Sequence, residues 1–180
     1  MKQSYFILFL YVFLLTACQN KQQESKLYIP TSPSLIEGRY NVGILIMDGV
    51  YSTELTDRMD IFQHTIFRKG IKAMNVFLVA TDLDVVTFFE DLRILPDYSY
   101  LDGKHPDIDI LVVPSAEKYL DTDLENQVFI DWVAKVGWKA EYVTSHFDGA
   151  FVLAKAGLLD KVASNTFPSD IAKYKFFFLI

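Results

Sequence analysis

The sequence is poor in the residues that most often hold metals and form covalent bonds. It has a single cysteine, Cys18, among its 180 residues. A lone cysteine excludes a disulfide within one chain and a zinc site built from cysteines. The histidines are scattered and form no close pair of ligands; they are His64, His105 and His146. We therefore predict that the chain holds no metal.

Two further features of nucleotide- and nucleic-acid-binding proteins are missing. The chain has no Gly-rich P-loop and no Gly-x-Gly-x-x-Gly fingerprint, so it lacks the backbone cradles that bind phosphate groups. Its formal net charge is −6, which gives a nucleic-acid partner no electrostatic support. The acidic run 121–125 lacks the glycine and the spacing of a calcium loop and is predicted to begin a helix. We expect neither a cofactor nor a nucleic-acid partner.

An apolar run at the N-terminus is typical of an export signal. Lys2 is followed by Tyr5–Leu15, a run much shorter than the roughly twenty residues that a bilayer span needs. The segment ends in Leu15-Thr16-Ala17-Cys18, which resembles the lipobox of bacterial lipoproteins. It predicts a signal peptide over residues 1–18 and acylation of Cys18. The alternative is an ordinary signal peptide or anchor helix with an incidental cysteine.

The lipobox also predicts where the protein resides. Acyl chains on Cys18 would anchor the protein to a membrane stably, because each buried CH₂ contributes about 0.8 kcal/mol. Gln19 and Asn20 do not resemble an inner-membrane retention signal, which begins with Asp, so we expect attachment to the outer membrane, facing the periplasm. Residues 19–39 are polar, contain Pro30 and Pro33, and are predicted to form a tether.

Residues 40–180 are predicted to form one α/β domain with a mainly parallel sheet, because a strand–helix–strand unit of this length requires a right-handed crossover. The predicted strands are Tyr40–Met47, Ala73–Thr81, Ile108–Pro114, 140–144 and 162–166, with an antiparallel pair, 85–89 and 92–95, at one sheet edge. One predicted helix is capped by Thr53 and turns Leu55, Met59, Phe62 and Ile66 inward; another spans 123–136 and turns Phe129, Trp132, Val133 and Val136 inward. Residues 98–106 are predicted to be a polar loop.

The rest of the chain is organised around residues 140–160. The pattern predicts a short strand, a tight turn over Ser145–Asp148, and a helix that opens at Gly149. Such a turn points backbone N–H groups and the positive end of a helix dipole at one place, where α/β proteins often display a nucleophile. The residue at the apex is Phe147, which has no nucleophilic atom.

This stretch resembles the nucleophile elbow of the ThiJ/PfpI family, in the class I glutamine amidotransferase-like superfamily. The matching residues are Ser145, Gly149, Ala150, Phe151, Leu153, Ala154, Ala156, Gly157, Leu158, Leu159 and Asp160. The resemblance covers roughly residues 40–170 and implies a flavodoxin-like three-layer α/β/α sandwich. Phe147 stands where the family has its cysteine, Lys161 stands where a glycine is expected, and Phe167-Pro168 replaces the histidine region.

The resemblance implies roles for individual residues. Family members pair the thiolate with an acidic residue of the first helix, and Glu54 stands at that position; its alternative role is a carboxylate favoured by the helix N-terminus. Backbone N–H groups of Ser115, Ala116 and Asp148 are the expected donors to an oxyanion. His146 could act as a base, or it could be a half-buried residue bonded to a neighbouring loop. Asp148 is also expected to cap the helix.

Three functions are consistent with these residues. The first is a domain without catalytic cysteine that binds a small molecule, or a decayed gene product. The second is an active cysteine-independent hydrolase, hydratase or amidotransferase-like enzyme that uses His146 with Glu54. The third is a periplasmic ligand-sensing domain. Because family members often dimerise, we expect that this chain could form a homodimer.

Family members also continue for a further strand and helix, so we expect a truncated or frameshifted reading frame; a genuine short variant is the alternative.

Overall fold

The computed structural model describes residues 32–118 and 122–178. The predicted signal peptide, Cys18 and most of the predicted tether therefore lie outside the described residues. None of the helices within these two ranges combines the length and the hydropathy that crossing a bilayer requires.

The domain is built on a parallel sheet. The strands in the described ranges are β1 (Tyr40–Leu45), β2 (Met74–Ala80), β3 (Val86–Thr87), β4 (Arg93–Ile94), β5 (Tyr98–Ser99), β6 (Ile110–Val113) and β7 (Tyr142–Ser145). Five of them form one sheet in the order β5-β2-β1-β6-β7, with every pair parallel. Val42 in β1 pairs with Val76 in β2 and with Ile110 in β6, which places β1 at the centre. Its apolar run is therefore that of a strand covered on both faces.

Helices alternate with these strands. They are α1 (Ser52–Gln63), α2 (Gln127–Gly137), α3 (Gly149–Lys155) and α4 (Ile171–Phe178), with 3-10 turns at His64–Phe67, Thr122–Glu125 and Pro168–Asp170. The parallel sheet with flanking helices confirms the predicted flavodoxin-like α/β fold. The inward stripe predicted for α2 is also confirmed, since Phe129, Trp132, Val133 and Val136 are buried.

Both helix starts differ from the prediction. The acidic run before α2 forms a 3-10 turn, and α2 begins only after Asn126, whose side chain accepts a hydrogen bond from Phe129 N–H (3.2 Å). Thr53 does not cap α1: the cap position is Tyr51, and no side-chain cap is formed there. At the other end of α1 the helix stops at Gln63, and the tighter 3-10 turn leaves Ile66 about half exposed rather than inward.

The strands at the sheet periphery differ from the prediction in three places. The antiparallel pair β3–β4 forms a separate two-stranded sheet and does not extend the main one. The sheet edge is instead β5, within a segment that the sequence predicted to be a loop; Asp97 holds it in place by accepting the Leu78 N–H (2.7 Å). Residues 162–166 form no strand; Thr166 directs its hydroxyl to the Phe147 carbonyl and to Asp148.

The described end of the predicted tether lies against the domain. The buried side chain of Asn75 accepts a hydrogen bond from Ile36 N–H (3.1 Å) and donates one to the Ile36 carbonyl (3.0 Å). Ser32 donates its hydroxyl hydrogen to the Asp97 carbonyl (3.2 Å). Contacts with the domain therefore begin at least eight residues before β1, within the range assigned to the tether.

Candidate functional site at the β7–α3 elbow

The chain turns sharply between β7 and α3. His146 N–H donates to the Val113 carbonyl on the neighbouring strand (3.1 Å), and Gly149 N–H donates to the His146 carbonyl (2.9 Å). Between them Phe147 adopts a φ of 41°, in a left-handed region that residues other than glycine seldom enter. A strained residue at the apex of a strand-to-helix turn is the backbone arrangement of a nucleophile elbow.

Gly149 lets α3 approach the sheet closely enough to form this turn. A Cβ atom at position 149 would lie 2.3 Å from the Val113 carbonyl oxygen and 3.1 Å from that of Pro114. Both atoms belong to the backbone at the end of β6, so neither can move aside as a side chain could. The glycine in the sequence motif is therefore explained by close packing of the helix start on the sheet.

The side chain at the apex is a half-exposed phenyl ring. Phe147 is 43% exposed, so it projects from the turn and is not part of the core. Its ring packs edge-on against that of Phe167, with centroids 5.2 Å apart, and lies 4.1 Å from the His146 ring. The turn thus presents an apolar aromatic surface and no nucleophilic atom at its apex.

Glu54 joins the first helix to the elbow. Its carboxylate is almost completely buried, and Oε2 accepts the Ser115 N–H at 2.6 Å. The other oxygen, Oε1, lies 2.8 Å from His146 Nδ1. That contact lacks the alignment of a hydrogen bond, and His146 Nδ1 has no hydrogen-bond partner among the described residues. The structure therefore places the acid and the imidazole, which the sequence analysis paired in its second hypothesis, next to each other.

One of the three expected oxyanion donors, the Ser115 N–H, already has a partner. Ser115 N–H is bound to Glu54, so it is not directed at a ligand in this arrangement. Ala116 is buried and forms an isolated antiparallel bridge with Val50. The Glu54 carboxylate therefore occupies the hydrogen-bond donor, the Ser115 N–H, that an oxyanion would otherwise use.

Asp148 occupies the cap position of α3 but does not cap it with its side chain. Its carboxylate accepts the Thr166 hydroxyl (3.2 Å) and, at 3.5 Å, the Ser115 hydroxyl. Partial burial raises the pKa of Asp148 above its ordinary value of 3.8, and the nearby charges of Asp170 and Glu54 raise it further, whereas the two hydroxyls lower it. The Asp148 carboxylate is consequently less hydrated than that of a free aspartate, and it lies close to other negative charges.

The start of α1 packs next to the elbow, since Tyr51 N–H donates to the Ser115 carbonyl (3.4 Å). Ser52 N–H donates to Glu90 Oε2 (2.9 Å), a residue of the β3–β4 turn, and this hydrogen bond lowers the pKa of Glu90. Tyr51 packs on Phe89 with ring centroids 5.0 Å apart. Desolvation raises the pKa of Tyr51, and the charge of Asp148 adds to the rise. The start of α1 therefore lies close to several carboxylates, those of Glu54, Glu90, Glu117 and Asp148.

Sequence reasoning assigned Thr166 and Glu90 no role in the site, and it indicated Phe167 only as a replacement for the family's histidine region. Thr166 and Phe167 lie just before Pro168, and Glu90 stands between two short apolar runs. These positions indicate turns, but they do not indicate which residues the side chains contact. No cluster of three or more His, Cys, Asp or Glu side chains within residues 32–118 and 122–178 is arranged to hold a metal ion.

A comparison with protein families matches the DJ-1/PfpI family over residues 40–174, three quarters of the chain. The chain belongs to the DJ-1/PfpI family. This confirms the resemblance found in the residues of α3 and its flanking turns. A search of curated proteins finds no match.

Solved structures show the same fold. A DJ-1/PfpI-type structure from Pseudomonas syringae, a ThiJ/PfpI family protein, is 24% identical with a TM-score of 0.55, over 73% of this chain and 55% of that one. Drosophila melanogaster DJ-1beta is 18% identical with a TM-score of 0.60, over 76% and 70% of the two chains. Schizosaccharomyces pombe DJ-1 is 16% identical with a TM-score of 0.59, over 76% and 72%. The chain thus spans about half the length of the Pseudomonas protein.

The predicted site residues of this DJ-1/PfpI domain follow three neighbouring strands, and Glu54 lies in the first turn of α1. Glu54 follows β1, Ser115 follows β6, and His146 to Asp148 follow β7, all at the carboxyl edge of the sheet. Open parallel sheets commonly bind ligands at this edge. Cys18, the predicted lipidation site, lies outside the described residues.

Proposed function

We propose that this DJ-1/PfpI domain binds a small molecule at the elbow and has no cysteine-dependent catalysis. The observation that carries the proposal is Phe147: its backbone has the strained geometry of an elbow, and its side chain is a half-exposed phenyl ring. A ring packed against Phe167 offers a ligand apolar contact but no electron pair for covalent bond formation.

Restoring a thiol at the apex tests the elbow geometry. In a Cys18→Ser background, Phe147→Cys is compared with Phe167→Cys, because the two phenylalanines are nearly equally exposed (43% and 44%) and their rings touch. We expect iodoacetamide to alkylate the thiol at 147 about tenfold faster at neutral pH, since a thiol at such a turn has a depressed pKa. Equal rates, or an inert thiol at 147, would contradict the elbow assignment.

Ester cleavage tests the absence of catalysis. We expect Phe147→Cys to release about one equivalent of p-nitrophenolate from p-nitrophenyl acetate as the thiolate attacks the carbonyl and becomes acylated. The Cys18→Ser chain with Phe147 intact should give no burst of p-nitrophenolate. Its steady rate of ester hydrolysis should not exceed that of the Phe167→Cys control. Turnover by the chain with Phe147 intact would overturn the non-catalytic proposal.

A second candidate function rests on the 2.8 Å approach of Glu54 Oε1 to His146 Nδ1. A buried carboxylate beside an imidazole orients the ring, so that His146 would take a proton from water in a hydrolase or hydratase. Glu54→Gln separates this function from the first, because the amide oxygen can still accept the Ser115 N–H while the charge is lost. Turnover that is abolished by His146→Ala and by Glu54→Gln would establish the second candidate.

We further propose that acylation of Cys18 tethers the domain to the outer membrane, facing the periplasm. The support is the lipobox at residues 15–18 and the absence of Asp after the cysteine. Cys18→Ser should abolish incorporation of labelled palmitate and move the protein from the membrane fraction to the soluble fraction. Unchanged membrane retention of the variant would contradict the lipoprotein assignment.

A further inference from the structure

A cavity lies away from the elbow. It has a volume of about 570 Å³ and opens between α2 and the loop that precedes β6. Its volume falls within the range of small-molecule sites, which is roughly 300–1,000 Å³. Asp107 and Asp109 directly precede β6 and so mark the amino end of that strand, whereas the elbow follows the carboxyl end of β7. No residue of the elbow lines this cavity.

The floor of the cavity is aromatic, and its polar atoms are already satisfied. Trp132 is buried, stacks on Tyr100 with ring centroids 5.1 Å apart, and donates its indole N–H to His105 Nε2 (3.1 Å). The other ring nitrogen, His105 Nδ1, lies 2.8 Å from the Pro106 carbonyl. Because the indole donates to Nε2, His105 is the tautomer that carries its proton on Nδ1 and donates it to that carbonyl. This floor therefore offers a ligand apolar and aromatic contact rather than hydrogen bonds.

The rim of the cavity carries charges of both signs. Lys135 and Lys139 lie one helical turn apart along α2 and its C-terminal extension, on the same face as Trp132. Asp107 lines the cavity from the loop before β6. No ion pair joins either lysine to a described carboxylate, and the Asp107 carboxylate makes no hydrogen bond to a described residue. Unpaired ammonium and carboxylate groups thus share one cavity without contacting each other.

We propose that this cavity binds a zwitterionic small molecule of the α-amino acid class, with its carboxylate at Lys135 and Lys139, its ammonium at Asp107, and an apolar side chain on the Trp132–Tyr100 floor. A zwitterion satisfies both sets of charges, whereas a simple anion or cation would leave one set unpaired and bring a like charge close to it. The proposal is independent of what occurs at the elbow.

Three related probes test the charge pattern. Binding of L-phenylalanine, N-acetyl-L-phenylalanine and L-phenylalaninamide to the full chain is measured by isothermal titration calorimetry. The acetyl group removes the ammonium charge and the amide removes the carboxylate charge. We expect L-phenylalanine to bind at least about fivefold more tightly than either derivative, the factor typical of one exposed charge contact. Absence of saturable binding, or equal binding of either derivative, would overturn the proposal.

Single substitutions assign the two charges. Lys135→Met and Lys139→Met should weaken L-phenylalanine binding several-fold but leave the amide derivative unaffected; Asp107→Asn should weaken L-phenylalanine but not the acetyl derivative. Lys155→Met, which replaces an exposed lysine at the end of α3 outside the cavity, is the matched control and should bind as the unaltered chain does. These side chains make no ion pair with a described residue, so the variants are expected to fold normally. Wild-type affinity in all three cavity variants would exclude this site.

Tryptophan fluorescence gives an independent readout at the cavity floor. The sequence has two tryptophans, and Trp138 is 72% exposed and does not line the cavity. In a Trp138→Phe chain the emission comes from Trp132 alone, and L-phenylalanine does not absorb at the red edge of indole absorption. We expect a saturable change in Trp132 emission with the same affinity as the calorimetric one. Calorimetric binding with no change in this emission would place the ligand elsewhere and overturn the assignment.

Discussion

The two helix starts that meet at the candidate site differ in how they satisfy their backbone. At α1, Glu90 accepts the Ser52 N–H and Glu54 accepts the Ser115 N–H, so polar side chains complete the structure. At α3, the carboxylate of Asp148 does not cap the helix, and the preceding Phe147 is strained. The α1 side thus keeps the polar groups that chemistry would need, whereas the α3 side keeps the backbone shape of an elbow without its reactive atom. Shape and chemistry are separable here because different residues determine them.

Gly149→Ala should give the largest loss of stability, because it disrupts the packing of α3 on the sheet. The new methyl group would lie 2.3 Å from the Val113 carbonyl oxygen, so α3 would have to move off the sheet. We expect the free energy of unfolding to fall by about 3 kcal/mol, the upper end of the cost of overpacking. Urea denaturation followed by circular dichroism measures the change.

Gly137→Ala is the matched control for that substitution. A Cβ at position 137 would also be too close to a neighbour, Leu158 Cδ1 at 2.4 Å, but that atom ends a flexible, half-buried side chain. Alanine also favours a helix over glycine by about 1 kcal/mol, which offsets part of the crowding. Equal destabilisation by the two substitutions would show that close contact with the sheet is not what requires Gly149.

Glu54→Ala should break the α1 side by a smaller amount. Removing the carboxylate leaves the Ser115 N–H without its partner in a buried place, and an unsatisfied donor of this kind costs about 2 kcal/mol. Glu54→Gln retains an oxygen for that N–H and should lose less than half as much. The difference between the unfolding free energies of the Ala and Gln variants measures the contribution of the hydrogen bond to Ser115 separately from that of the charge. A Gln variant as unstable as the Ala variant would mean that the charge, and not the hydrogen bond, holds this side.

The sequence predicted the sheet and the position of the elbow because both depend on local, repetitive signals. The apolar run of β1 and the stripe of α2 show burial directly, and the Gly149 motif indicates close helix–sheet packing. The short peripheral strands could not be predicted in the same way. Two residues in β5 carry no periodicity, and their place at the edge is set by the long-range contact of Asp97 with Leu78.

The candidate site was predictable as a list of residues but not as a set of contacts. Glu54 and His146 were paired only in one of three hypotheses, and their 2.8 Å approach depends on how the first turn of α1 meets the elbow, which sequence spacing does not specify. The prediction that Ser115 N–H faces an oxyanion did not anticipate that Glu54 would accept this hydrogen bond. Phe167 was noted only as a replacement, because an aromatic contact across twenty residues of chain leaves no local pattern.

Lys161→Gly should sharpen the comparison by relieving strain in the turn that follows α3. Lys161 has a φ of 62°, and its position is the one where the family pattern has glycine. Because a left-handed backbone costs a non-glycine residue about 1 kcal/mol, we expect stabilisation of up to about that amount. Lys155→Gly, at the last residue of α3, should instead destabilise slightly, because Lys155 already has helical backbone angles and a glycine there relieves no strain. Destabilisation by both substitutions would mean that the left-handed turn after α3 is not a source of strain.

The smallest expected effect compares the carboxylates at the two helix starts through pH. Burial, with the charges of Asp170 and Glu54, raises the pKa of Asp148, so the folded state holds its proton more tightly than the unfolded state does. As pH rises from 3.8 through the folded-state pKa, this group therefore makes the protein progressively less stable, and Asp148→Asn should become relatively more stabilising towards neutral pH.

Glu90 should show the opposite sign, because the Ser52 N–H lowers its pKa below 4.5. Its contribution to stability is present above that value and is lost as pH falls through the folded-state pKa, so Glu90→Gln should destabilise at neutral pH and have less effect in acid. Urea denaturation of both variants between about pH 3 and pH 7 measures the two slopes. Slopes of the same sign would mean that the two carboxylates are held alike, and the contrast between a polar α1 start and a desolvated α3 start would then be wrong.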